Sequence, residues 1–149
     1  VIGGTTPAAG TFTTLSVNGL DLTKETVEFT VIESNINCYV VDGTAGFVVT
    51  DKISGANLID AEGAVYTAGT TGTMAIQIRR RRDGVSADML TTKLTIDSGE
   101  TRSTTAATPH VIDTSNDDVQ TGDIIFIDID TIHTTPAQGL FVALEFRRP

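Results

Sequence analysis

Ile124-Ile125-Phe126-Ile127-Asp128-Ile129-Asp130-Thr131-Ile132, a loop at Thr134-Thr135-Pro136, and then Gly139-Leu140-Phe141-Val142-Ala143-Leu144-Glu145-Phe146 read as two long strands of one sandwich. Side chains of a strand point alternately to its two faces. Ile125, Ile127 and Ile129 are therefore expected to face a core while Asp128 and Asp130 face out. In the second segment Phe141, Ala143 and Glu145 oppose Leu140, Val142, Leu144 and Phe146. A segment apolar at most of its positions belongs at the centre of a sheet, where both faces are covered.

The same two-residue period begins at Thr26, with Val27, Phe29 and Val31 alternating against Glu28, Thr30 and Ile32. Further strand-like runs fall at 36–41, 46–50, 56–59, 64–68, 73–79, 90–96 and 111–112. Turn residues separate them: Asp42-Gly43, Ser54-Gly55, Glu62-Gly63, Ala68-Gly69, Asp83-Gly84, Ser98-Gly99 and Thr121-Gly122. Short strands at intervals of about 8 to 12 residues predict an all-β sandwich or barrel, not βαβ units. The one helical turn expected lies within 113–120, where Asp or Ser can cap its start.

A chain of 149 residues fits one domain with one core. Its 26 threonines and 14 glycines, against three lysines and no tryptophan, suit strands joined by tight turns. A net charge of −9 repels polyanions, so nucleic acid is not an expected partner. No apolar run is long enough to span a bilayer and no signal-peptide pattern opens the chain, so no membrane partner is expected either. Cys38 is the single cysteine; between Asn37 and Tyr39 in a strand-like run it reads as a buried, inert thiol.

The first 24 residues differ from the rest. They carry only sparse apolar points, Phe12, Leu15, Val17, Leu20 and Leu22, in a turn-rich segment with Asn18-Gly19 as its turn. Such a segment cannot bury itself. The expected organisation is an extended amino-terminal strap over 1–24 and a β-sandwich domain over 25–149, with those five residues at an interface with neighbouring subunits.

Ile2-Gly3-Gly4-Thr5-Thr6-Pro7-Ala8-Ala9-Gly10-Thr11-Phe12-Thr13-Thr14-Leu15 resembles a connector segment of tail-fibre and other virion proteins of tailed bacteriophages. In that family the segment lies ahead of a further domain, so the start at Val1 implies residues upstream. Residues 64–146, through 92–101, Val111-Ile112-Asp113 and the final strand pair, are similar to small domains of phage structural proteins. The Gly122-Asp123 turn before an aliphatic strand, closed by Gly139-Leu140 and by Val142, Leu144 and Phe146, is also similar to trimeric jelly rolls of the complement and tumour-necrosis type. The resemblance implies a jelly-roll β-sandwich assembled as a homotrimer, located in the virion and built beside other virion proteins. A strap that buries poorly against its own domain gains burial by wrapping two further copies.

Candidate chemistry is thin. Arg79, Arg80, Arg81 and Arg82 form the one basic cluster, at a strand end before the Asp83-Gly84 hairpin tip. Alternation allows at most two guanidinium groups per face. They suit docking to an acidic capsid surface or a phosphorylated polysaccharide, or else salt bridges with this chain's own carboxylates, or charge protection of an edge strand. Asp113, Asp117, Asp118 and Asp123 do not have the spacing of a calcium-binding loop and read as a solvated acidic face. Asp128 and Asp130 are available to arginines of a neighbouring subunit. His110 and His133 have no partner at metal-ligand spacing, and no nucleophile elbow, phosphate loop or zinc helix is present. No catalytic residue, metal site or cofactor is expected.

Three functions follow as expectations. The first is a non-enzymatic trimeric fibre or appendage domain of a phage particle. The second is a capsid decoration or head-fibre protein that stabilises the shell. The third is a receptor-binding tip that recognises host surface polysaccharide through loops 67–73 and 101–109. Those loops contain no aromatic ring to stack on a sugar, and Tyr39 and Tyr66 fall in expected strands.

Overall fold

The computed structural model describes residues 23–149, together with the backbone of residues 16–17 and 20–21. Among these, regular structure is antiparallel β, with one short 3-10 turn at Ser103–Thr105. The strands are β1 (Ser16–Val17), β2 (Leu20–Asp21), β3 (Lys24–Asn37), β4 (Val41–Val48), β5 (Asn57–Ala64), β6 (Met74–Arg82), β7 (Val85–Asp88), β8 (Leu90–Thr92), β9 (Leu94–Ile96), β10 (Val111–Ile112), β11 (Ile124–Thr131) and β12 (Gln138–Arg147).

One sheet runs β3-β12-β5; the other runs β4-β11-β6-β7, with β9 also on β6. Two short pairs, β8 with β10 and β1 with β2, complete the pairing. The alternation along β11 and β12 explains the packing. Ile125, Ile127 and Ile129 of β11 are fully buried, as are Leu140, Leu144 and Phe146 of β12. Across the interior Phe47 of β4 meets Phe29 of β3 edge-on with ring centroids 5.8 Å apart, and Phe146 of β12 at 6.3 Å. The two sheets thus pack face to face as a β-sandwich, each buried aliphatic or aromatic side chain contributing on the order of 1.5–3 kcal/mol.

β12 is central in its sheet, between β3 and β5. The Asp83-Gly84 hairpin joins β6 to β7 with φ positive at both turn residues, 50° and 84°, the conformation a two-residue hairpin of matching twist requires.

Other expectations are overturned. Asp42-Gly43 and Glu62-Gly63 are not turns; they lie inside β4 and β5. Gly43, with φ of 65°, sits where the β4–β11 register shifts between Ile127 and Ile129, a bulge rather than a chain reversal. Gly63 faces the core closely: a Cβ there would lie 2.7 Å from Leu94 Cδ2, so Leu94 would have to shift to admit one. The run 36–41 straddles a connection, since β3 ends at Asn37 and β4 begins at Val41. Residues 65–68 lie beyond the end of β5. Within 113–120 the chain makes a turn, not a helix: Asp113 accepts from the Ser115 N–H through its carboxylate and from the Asn116 N–H through its carbonyl. Asp128 does point to the outer side of β11, yet it is only 3% exposed, because the β4 bulge and Arg79 cover it.

Candidate interaction faces

β6 carries the four arginines between β11 and β7, so it is not an edge strand. Alternation divides them into two pairs. Arg80 and Arg82 share the parity of inward-facing Ile78 and meet the 113–123 connection at the end of the sandwich. Arg80 donates to the Asp118 carboxylate and, at 2.6 Å, to the Asp118 carbonyl. Arg82 holds both Asp123 oxygens, Nε to Oδ1 at 2.9 Å and Nη2 to Oδ2 at 2.6 Å, and also Asp118 at 2.9 Å. Burial by itself pushes the Asp118 and Asp123 carboxyls up; the hydrogen bonds from Arg82, joined by Arg80 at Asp118 and by the Gln120 N–H at Asp123, outweigh it, and both carboxyls lie below their ordinary range. Asp123 raises the Arg82 guanidinium in return. Asp118 and Asp123 are therefore members of a structural network; Asp123 is buried and not part of a solvated acidic face, whereas Asp118 stays half-exposed.

Arg79 and Arg81 point to the outer side. Arg79 pairs with Asp128 at 3.1 Å and Asp88 at 3.2 Å and lies over the Phe126 ring, 5.5 Å from its centroid. Asp128 is thus paired within its own chain, and Asp130 meets Lys93 at 3.0 Å. Of the four arginines only Arg81 has no side-chain partner among the described residues. It lies in a shallow groove with Ile124, Phe126 and Ser86.

The outer face of the β3-β12-β5 sheet has a different character. Register places Glu28, Ala143 and Glu62 in one row across its three strands, and Thr30, Phe141 and Ala64 in the next. Arg102 extends the second row by an isolated bridge to Ala64. Phe141 is 37% exposed at the centre of a groove of about 390 Å³. Among the described residues the side chains of Glu28, Glu62 and Arg102 have no ion pair or hydrogen bond. Sequence reading missed this face, because Glu28, Glu62 and Arg102 are far apart in the chain; the only available signal was that Phe141 interrupts the polar side of β12.

No family model, no curated protein and no solved structure matches the chain. Function therefore rests on the residues themselves.

β1 and β2 pair with Val17 opposite Leu20; the side chains of both, and Phe12, Leu15, Leu22 and the Asn18-Gly19 turn, lie outside the described residues. His133 is buried and donates from Nε2 to the Ile96 carbonyl at 3.1 Å. His110 lies 3.1 Å from Asp60. Among the described residues no three His, Cys, Asp or Glu side chains gather as a metal site. Tyr39 and Tyr66 lie outside the strands, 48% and 71% exposed, which removes one of the two grounds for discounting a sugar contact; loops 67–73 and 101–109 hold no aromatic ring. Cys38, in the connection after β3 and not in a strand, is buried; its thiol donates to the Gly139 carbonyl at 3.6 Å, and burial pushes it up to about 11. A thiol reagent at pH 8 is expected to label Cys38 only after unfolding. Rapid labelling of the native protein would show that the connection opens.

Proposed function

We propose that this chain is a non-enzymatic structural module of a tailed-bacteriophage particle, a jelly roll that acts as a homotrimer within a fibre or other appendage. The strand order supports the jelly roll. β3, β4, β5 and β6 pass alternately between the two sheets, β11 and β12 return one to each, and the strand opening the sandwich pairs with the strand closing the chain. That is the connectivity expected of two interlocked Greek keys. The observation that carries the assembly reading is the outer face of β3-β12-β5, where Phe141 is exposed between unpaired charges on a broad, shallow surface. A shallow apolar face of this kind suits contact with another protein better than enclosure of a small substrate. The phage setting is supported by the resemblance of residues 2–15 to fibre connectors. The exposure of Tyr39 and Tyr66 favours, as a second reading, a tip that stacks host polysaccharide.

Immunolabelling of intact particles, with the solution mass of the isolated chain, tests the proposal. A trimeric mass and label on projecting appendages are expected. Label spread over the shell would make the chain a decoration protein, and unlabelled particles would overturn a virion role.

A further inference from the structure

We infer that the outer face of the β3-β12-β5 sheet is seated on a second copy of this chain, with Arg102 of one copy paired to Glu28 of the next and Phe141 at the centre of the contact. The inference rests on the homotrimer reading and gives it an interface. Glu28 and Arg102 stand at opposite margins of one face, Glu28 on β3 and Arg102 beyond β5, with Ala143, Phe141 and Ala64 between them. Adjacent strands are about 4.8 Å apart, so the margins are separated by more than one arginine side chain can span. Neither charge can neutralise the other within its own copy.

Rotational symmetry offers what the single chain lacks. When the same face is repeated about an axis, the right margin of one copy meets the left margin of its neighbour. That brings an unpaired guanidinium to an unpaired carboxylate and covers the small and aromatic side chains between them. Glu62 lies one row from Arg102 on that same margin, and the two are not paired, which leaves Arg102 available to the Glu28 of the neighbour. Residues 1–20 contain no Asp, Glu, Lys or Arg and so offer no charged side chain to either margin, whereas a second copy offers both signs. The contact is apolar at its centre and charged at its rim, the usual anatomy of a specific interface.

The test is sedimentation of the full chain over a concentration series in moderate salt, comparing the unaltered protein with Glu28→Arg, Arg102→Glu and the double exchange. Both residues are exposed, so neither substitution disturbs the core. A trimer is expected for the unaltered chain. Each single reversal sets like charges against each other and should raise the concentration for half-dissociation about tenfold or more. The double exchange rebuilds the pair with opposite polarity and should return to within about threefold of the unaltered chain. A monomer at every concentration for the unaltered protein would overturn the homotrimer reading and this interface with it. A stable trimer indifferent to both single reversals, or further weakened by the double exchange, would overturn the interface alone.

Discussion

Arg82→Met will destabilise the protein by about 3 kcal/mol, the cost of leaving a buried carboxylate without its cation. Methionine preserves the unbranched stem, so the loss isolates the charge. Asp123 is 2% exposed, and without Arg82 its side chain retains only the hydrogen bond from the Gln120 N–H, while Asp118 keeps Arg80. For a chain of this size the loss corresponds to roughly 6–12 °C in unfolding midpoint. The pH dependence separates this cause from lost packing. Asp118 and Asp123 titrate below their ordinary range when folded. Such groups contribute stability that is fully present above the unfolded value near 3.9 and is lost as pH falls through the lower folded value. In the variant, Asp123 is buried without its cation, its folded value rises, and protonation relieves it. The gap between the two proteins should therefore narrow on acidification below about pH 4. Thermal unfolding at pH 7 and pH 3 measures both gaps; a difference unchanged between them would show that Arg82 acts through packing alone.

The arginine run shows where sequence reading reaches its limit. Its division into two pairs was legible, because alternation depends on neighbours in the chain alone. The partners were not, since Asp118 and Asp123 stand 36 and 41 residues from Arg82. The period-2 segments at 124–132 and 139–146 were legible because each isoleucine or leucine must choose a face. Glycines were misread for a related reason. Gly43 and Gly63 carry the residue type that marks a turn, yet one serves a bulge and the other a close approach of two sheets, both properties of the partner strand. Asp128 shows the same dependence: its outward parity was readable, but its burial comes from Gly43 and Arg79.

Gly46→Ala will be a severe substitution for the same reason, the position of the partner strand, although sequence places Gly46 at the start of an ordinary strand. Gly46 of β4 stands opposite Phe126 of β11. A Cβ on Gly46 would lie 2.9 Å from Phe126 Cα and 3.0 Å from the Ile125 carbonyl carbon, and closer still to the Ile125 oxygen. All three atoms are backbone of a strand held on its other side by β6, so no rotamer change relieves the clash. β4 must move off β11, loosening ladder hydrogen bonds worth about 1 kcal/mol each. The move also drags adjacent Phe47 from its ring contacts with Phe29 and Phe146, and forced repacking of that kind costs about 1–3 kcal/mol. A loss of about 3 kcal/mol in denaturant unfolding is expected from the two together. Gly63→Ala should cost less, because its closest obstacle is Leu94 Cδ2, the end of a flexible side chain. The order of the two variants is the decisive reading. If Gly46→Ala unfolds at the unaltered midpoint while Gly63→Ala does not, β4 does not approach β11 in this register.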